Sequence, residues 1–464
     1  MKRAKRSYEL DMTHGRLMPR ILTFAFPLMI TSMLQLLYNA ADVIVVGQFA
    51  GKEAQAAVGS TGALINLIVN VFLGLSIGTN VIVAKYYGAR DYKGTQETVH
   101  TAITISVIGG FVLAVFGFLF GGTFLAWMGS NEEVLPLATK YIRIFFLGMP
   151  FNMLYNFGAA ILRAIGDTKR PFFFLMISGL VNVGLNMIFV IGFGMDVDGV
   201  AWATIISQLV SAALVMFCLI RTVGFVHLDP KKLKIHKDKL IAMARVGLPA
   251  GLQGACFSLS NVLIQSTVNA YPTAVVAGNS TAANLEGFVY VAMNAFHQAA
   301  VTFTSANVGA GRHSRIRKVM GASVLLVTVV GIGISLVFYL LRYVLLGLYS
   351  PDPEVVMAGM ERFKLILATY WMCGIMDVLC GVMRGMGAAL MPMIVAVTGA
   401  CAFRIFWIYA ILPLNNTLLM LYYSYPVSWI LTGAAHYACF LVWSRRFPVD
   451  LQREAELDAA EQGI

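Results

Sequence analysis

The chain has 464 residues, 58% of them hydrophobic against 12% charged, with a mean hydropathy of +0.75. That balance excludes a water-soluble domain and indicates an all-α polytopic membrane protein. The formal net charge of +11 does not point to nucleic acid, because the cations sit in loops of an apolar chain.

A hydrocarbon core of ~30 Å takes about 20 apolar residues per helix, and twelve such stretches follow one another. They lie near 20–47, 56–84, 99–120, 137–162, 171–193, 200–220, 246–270, 278–305, 319–348, 363–383, 389–411 and 419–443. A cytoplasmic N-tail over 1–19 carries Lys2, Arg3, Lys5 and Arg6. It looks like a secretory n-region, but the apolar stretch after it is too long for a cleaved signal, so it reads as leading into a retained first span. Spans 1 to 6 form a first six-helix bundle over 20–221. A cytoplasmic linker over 222–245, with His227, Asp229, Pro230 and a run of lysines, breaks the apolar pattern. Spans 7 to 12 form a second bundle over 246–444. The C-tail over 445–464 is polar and acidic (Glu454, Glu456, Asp458, Glu461) and reads as a solvated cytoplasmic helix or disorder.

Most Lys and Arg fall in the two tails and in alternate loops, the 222–245 linker above all. Glu132, Glu133, Asp196, Asp198, Asp352 and Glu354 crowd the opposite loops. The positive-inside rule then puts both termini in the cytoplasm of a bacterial inner membrane. All six cysteines (Cys218, Cys256, Cys373, Cys380, Cys401, Cys439) fall within spans and form no C-x-x-C pair, so they read as packing residues.

The two halves are copies. Gly88, Arg163, Gly166 and Pro171 return as Gly309, Arg384, Gly387 and Pro392, each 221 positions later (309 minus 88, 384 minus 163). Pro27 and Pro249 occupy nearly equivalent places in spans 1 and 7, where each frees a carbonyl and permits a bend. Repeated halves with a site at their interface are a common plan for membrane carriers.

Ionisable residues inside spans are costly, ~2.5–3.5 kcal/mol for Asp at a helix centre, and mark function or a specific partner. Asp42 in span 1 lies in the outer half, at the depth of Asn182 and Asn186 in span 5, which are four apart and so share a face. A carboxylate beside two amides makes a site for a proton or a hard cation such as Na⁺. As a bland alternative, the asparagines hold helices together. Glu286 in span 8 and Arg404 in span 11 lie at similar depth, so they either pair or leave Glu286 to bind a cationic substrate. Asp377 in span 10 is deeper, and its repeat counterpart is Asn156 (377 minus 221). His297 and His436 read as satisfied packing residues.

The segments Tyr38-Asn39-Ala40-Ala41-Asp42-Val43-Ile44-Val45-Val46-Gly47, Asn182-Val-Gly-Leu-Asn186 and Asp377-Val-Leu-Cys-Gly-Val-Met-Arg384-Gly, with the Gly-Ala and Arg-x-x-Gly loops, resemble the multidrug and toxic compound extrusion (MATE) family. The resemblance implies two six-helix bundles that export amphiphilic, often cationic drugs in exchange for Na⁺ or H⁺, with no cofactor. It implies a cation site at Asp42, Asn182 and Asn186, with Asp42 as the Na⁺ ligand if Na⁺ couples. It also implies a substrate or second cation site among Asp377, Glu286, Arg404, Tyr38 and Asn39. One departure stands out: span 7 has no acid, only Gln253, Asn261 and Gln265 as strong polar groups.

Expected partners are small amphiphilic cations and membrane lipid, and the expected form is a monomer. A flippase for lipid-linked precursors is the alternative within transport, but it would want a basic cavity. An enzyme is not expected, since neither His-Glu-x-x-His nor Gly-x-Ser-x-Gly occurs at membrane depth.

Overall fold

The computed structural model describes residues 8–128, 132–450, 452 and 454–457. The basic cluster Lys2–Arg6 and the acidic Asp458 and Glu461 lie outside them.

The described residues fold entirely as helices and connections, in the order α1 (Leu17–Phe49), α2 (Lys52–Gly88), α3 (Tyr92–Trp127), α4 (Leu135–Leu147 and Met149–Ala164), α5 (Lys169–Gly192), α6 (Val197–Arg221), α7 (Lys237–Val268), α8 (Thr273–Gly309), α9 (Ser314–Leu340), α10 (Pro353–Gly385), α11 (Leu390–Leu414) and α12 (Leu418–Trp443). A short helix, Arg342–Tyr349, precedes α10. Ten helices are long and apolar enough to cross a membrane, or eleven with α4 counted as one span. The remaining helix, α8, is 37 residues long but carries Asn279, Asn284, Glu286, Asn294, His297 and Gln298 along its length. Asn279, Glu286 and His297 are buried and the second half of the helix is buried almost without interruption, so protein surrounds these groups, whereas Asn284 is exposed.

Several helices overrun the apolar stretches that announce them. α2, α3 and α10 extend into polar flanks, and α10 begins ten residues before the 363–383 stretch. Span 4, expected as one helix, breaks at Gly148 into two pieces bent by 49°. Pro150 in the first turn of the second piece accounts for the break, since it has no N–H to give to the preceding turn.

By packing, the chain divides into two compact units. The first comprises the segment ending at Asp11 and Ile30–Gly251; the second comprises Met12–Met29 and Leu252–Ile464. Each crossover falls two residues beyond Pro27 or Pro249, inside α1 and α7. In the first unit α2 and α7 meet through two Gly-x-x-x-Gly faces, Gly74/Gly78 and Gly247/Gly251. A Cβ on Gly74 would lie 2.3 Å from the Gly247 carbonyl oxygen, so only glycine permits this approach. In the second unit Phe24 meets Phe303 edge-on at 5.6 Å within a core that includes Phe296 and Phe363.

The duplication is preserved in backbone detail. Ala89 and Ala310 cap α2 and α8 with nearly identical angles (φ −72 and ψ −5, φ −72 and ψ −4). Gly166 and Gly387 both take φ +84, which costs an L-residue ~1–2 kcal/mol. The two environments differ, however. A Cβ on Gly387 meets open space, whereas one on Gly166 would lie 2.8 Å from the Leu10 carbonyl oxygen. Gly387→Ala should therefore lose ~1–2 kcal/mol, from backbone strain alone. Gly166→Ala should lose a further ~1–3 kcal/mol from overpacking. Denaturant unfolding of the two purified variants in micelles reads this order directly, and equal losses would contradict it.

Candidate functional site

In the first unit, the helical turn of α5 places Asn182 and Asn186 one above the other, 5% and 0% exposed. Asn186 is the last α-helical residue before a π-helical turn, Met187–Gly192, a feature that recurs at functional positions in helices. Its Nδ2 donates to Asp42 Oδ1 in a short hydrogen bond and lies 3.4 Å from Asn182 Oδ1. The expected trio is thus assembled. The remaining acceptor, Asn186 Oδ1, is buried and has no hydrogen-bond partner. No arginine or lysine forms an ion pair with Asp42 among the described residues.

Tyr38, one turn before Asp42, packs over Gly179 of α5, where a Cβ would stand 1.9 Å from its ring. Its hydroxyl reaches the Met176 carbonyl at 3.5 Å. Asn39, three residues before Asp42 on α1, is exposed and has no hydrogen bond to this cluster among the described residues. Buried Tyr141 of α4 lies within electrostatic reach of Asp42, and nothing in its sequence context distinguished it from a core aromatic.

The second unit holds two buried polar networks. Glu286 does not pair with Arg404. Its partner is Arg362 of α10, whose Nε donates to Oε1 at 2.9 Å and whose Nη2 donates to Oε2 at 2.7 Å. Arg362 Nη1 donates to Asn279 Oδ1 at 2.8 Å, and the Tyr422 hydroxyl donates to the same oxygen at 3.1 Å. The pairing was missed because Arg362 lies one residue before the apolar stretch of span 10, while the helix itself starts at Pro353. Arg404 instead donates from Nε to Ser428 Oγ at 2.9 Å, and its guanidinium lies 4.3 Å from the Tyr425 ring centre.

Asp377 and Arg384 stand seven apart on α10, two turns along one face. The Asp377 carboxylate interacts with the Tyr290 hydroxyl and with the charge of Arg384. Its backbone carbonyl lies 2.6 Å from His297 Nδ1, so that nitrogen carries a proton. His297 Nε2 then faces Arg384 Nη1 at 3.3 Å as acceptor, and Arg384 Nη2 donates to Gln253 Oε1 at 2.7 Å. Gln253, the polar residue of span 7 noted above, therefore joins Asp377 through Arg384. His436 sits 3.1 Å from the Pro392 carbonyl. Both histidines are held by backbone carbonyls, as packing residues are.

The Glu286–Arg362 pair behaves as structure. Removing one member leaves the other charged and buried, at a cost of ~3–5 kcal/mol. Glu286→Gln alone should thus lower thermal stability sharply, and the double change Glu286→Gln with Arg362→Met should recover most of the loss. A double variant no more stable than the single would contradict this coupling.

The sequence and the fold have known counterparts. A family model described as MatE matches residues 27–188 and 249–410, two stretches offset by 222 (249 minus 27), within one residue of the repeat. The probable multidrug resistance protein YoeA of Bacillus subtilis (strain 168) is 27% identical over 381 residues, covering 81% of this chain and 82% of that protein. A protein of Shewanella oneidensis named FAD transporter is 25% identical over 350 residues, covering 72% of this chain and 75% of its own length. Among solved structures, the outward-facing conformation of a multidrug resistance MATE family transporter of the MOP superfamily superimposes with a TM-score of 0.87 at 21% identity, over 98% of this chain and 100% of that one. The chain is a multi-pass membrane protein and belongs to the MatE family, the multidrug and toxic compound extrusion transporters.

Proposed function

We propose that this chain is a secondary active antiporter of the bacterial cytoplasmic membrane, working as a monomer with both termini in the cytoplasm. It exports amphiphilic, often cationic compounds in exchange for Na⁺ or H⁺. The observation that carries the reading is the Asp42–Asn186–Asn182 cluster, a half-buried carboxylate beside two buried amides, with no ion-pair partner among the described residues.

A carboxylate in that setting is neutralised by whatever positive charge the solution supplies. The orphaned Asn186 Oδ1 and the Asp42 carboxylate offer oxygen ligands to a hard cation, as carbonyls do in other carriers. Alternatively, a proton on Asp42 turns an acceptor into a donor, and an unpartnered amide oxygen suits that donor equally. Binding of ion and of exported compound need not involve contact between them. If each favours a different conformation, linkage alone couples them, typically by ~1–3 kcal/mol.

Relatives named for multidrug resistance and for FAD transport support an organic small-molecule cargo here without fixing its charge. Arg362, Arg384 and Arg404 of the second unit are engaged by Glu286, Gln253 and Ser428, an arrangement unlike the open basic cavity that a pyrophosphate-carrying lipid would need.

The test is ethidium efflux from proteoliposomes under separately imposed Na⁺ and H⁺ gradients. The wild-type protein should respond to one gradient, and Asp42→Asn should lose at least about tenfold of that driven efflux while remaining folded, since ~1.4 kcal/mol of coupling is a factor of ten. Undiminished driven efflux by Asp42→Asn would overturn the assignment.

A further inference from the structure

The outer surface of the second unit carries two concavities along the same pair of helices. One, of about 310 Å³, lies where α9 begins and α12 ends, bordered by His313, Arg317, Ser444, Arg445 and Phe447. The other, of about 410 Å³, is walled by the apolar side chains of Met320, Val324, Trp371, Leu379 and Tyr437, with Gly321 at its edge.

Helical register joins the two. Met320, Gly321 and Val324 follow Arg317 at three, four and seven residues, which is one face of α9. Tyr437 on α12 and Ser444, the residue that caps its C-terminus, are seven apart, again on one side. From His313 to Val324 the rise is ~16 Å at 1.5 Å per residue, about half of a ~30 Å hydrocarbon core and so one leaflet deep. A cationic mouth at the helix ends thus lies in line with an apolar groove, the two together spanning about one leaflet.

Both arginines are available. Arg317 and Arg445 are exposed, and neither has a hydrogen-bond or ion-pair partner among the described residues. The nearby acid Glu454 is already committed, accepting from the backbone N–H of Ser314 at 2.9 Å and from its hydroxyl. His313 Nδ1 donates to the Pro448 carbonyl at 3.0 Å, and its ring meets Phe447 edge-on at 5.4 Å, so the rim of the mouth is fixed in place.

We infer that this composite groove seats one anionic phospholipid, its phosphate on Arg317 and Arg445 and an acyl chain in the channel between α9 and α12. A zwitterionic lipid brings no net charge to two unpaired cations. Each juxtamembrane arginine is worth about fivefold in preference for an anionic headgroup, the equivalent of ~1 kcal/mol. Inorganic phosphate shares the headgroup chemistry but has nothing to place in the apolar groove.

Trp371 and Trp429 line the groove and give the readout. The full chain is reconstituted in vesicles containing phosphatidylglycerol or phosphatidylcholine brominated on the acyl chain, and tryptophan quenching gives relative binding constants. Wild type should prefer phosphatidylglycerol, and the preference should fall about fivefold in Arg317→Gln, again about fivefold in Arg445→Gln, and vanish in the double variant. Gly321→Phe, at a position with open space around its Cβ, should weaken quenching by both lipids by filling the groove. Millimolar inorganic phosphate should not displace the lipid. Equal constants for the two lipids in wild type, a preference surviving in the double variant, or complete displacement by phosphate would each overturn the inference.

Discussion

A carboxylate in hydrocarbon must be neutralised, and this protein does so in two opposite ways. Glu286 receives both oxygens' worth of hydrogen bonds from Arg362, which is itself held by Asn279. Its charge is settled within the fold. Asp42 receives one short bond from an amide and has no ion-pair partner among the described residues. Its charge is left to be balanced from outside, which is what a coupling site requires and what a structural carboxylate avoids. The functional reading rests on this contrast between two acids that both lie within membrane-spanning helices, Glu286 fully buried and Asp42 half-buried.

Duplication built the scaffold but not the site. Loops, caps and the φ +84 glycines repeat at 221 residues. In the second half, the position matching Asp42 by the Pro27–Pro249 offset is Ile264, and those 221 residues after Asn182 and Asn186 are Phe403 and Trp407, all without a charge or amide. Conversely, Glu286 corresponds to Ile65, and Arg362 corresponds to Tyr141, the aromatic beside Asp42. Each unit therefore places its polar chemistry at a different pair of helices on the same frame. One lobe offers an unbalanced acid and the other closed networks, and a difference of this kind allows the two lobes to respond to different ligands.

The twelve helices, the repeat and the Asp42–Asn182–Asn186 cluster were legible in the sequence, because hydrophobic runs, fixed offsets and i,i+4 spacing are local signals. The partner of Glu286 was not. Apolarity marks where lipid touches a helix, but α10 continues ten residues beyond that limit inside protein, and Arg362 lies in the excess. The same gap between lipid contact and helix extent explains why α8 is not apolar enough to count as a span by itself: Asn279, Glu286 and His297 are buried against neighbours in its own unit. The break of span 4 had a local cause, Gly148 followed by Pro150, that hydropathy averages away. Crossing of the chain between units within α1 and α7 depends on long-range packing. Only the positions of Pro27 and Pro249 hinted at it.

The most direct measurement of the central claim is the number of ions bound by the purified protein. Equilibrium uptake of radioactive Na⁺, and proton uptake followed with a pH indicator on acidification, would be compared between wild type, Asp42→Asn and Asn186→Leu. The account predicts that one saturable equivalent of one of these ions disappears in Asp42→Asn and is weakened at least about tenfold in Asn186→Leu, where a charge-assisted hydrogen bond and an oxygen ligand are both lost. Full saturable uptake by Asp42→Asn, equal to wild type for both ions, would contradict it and move the coupling charge elsewhere in the chain.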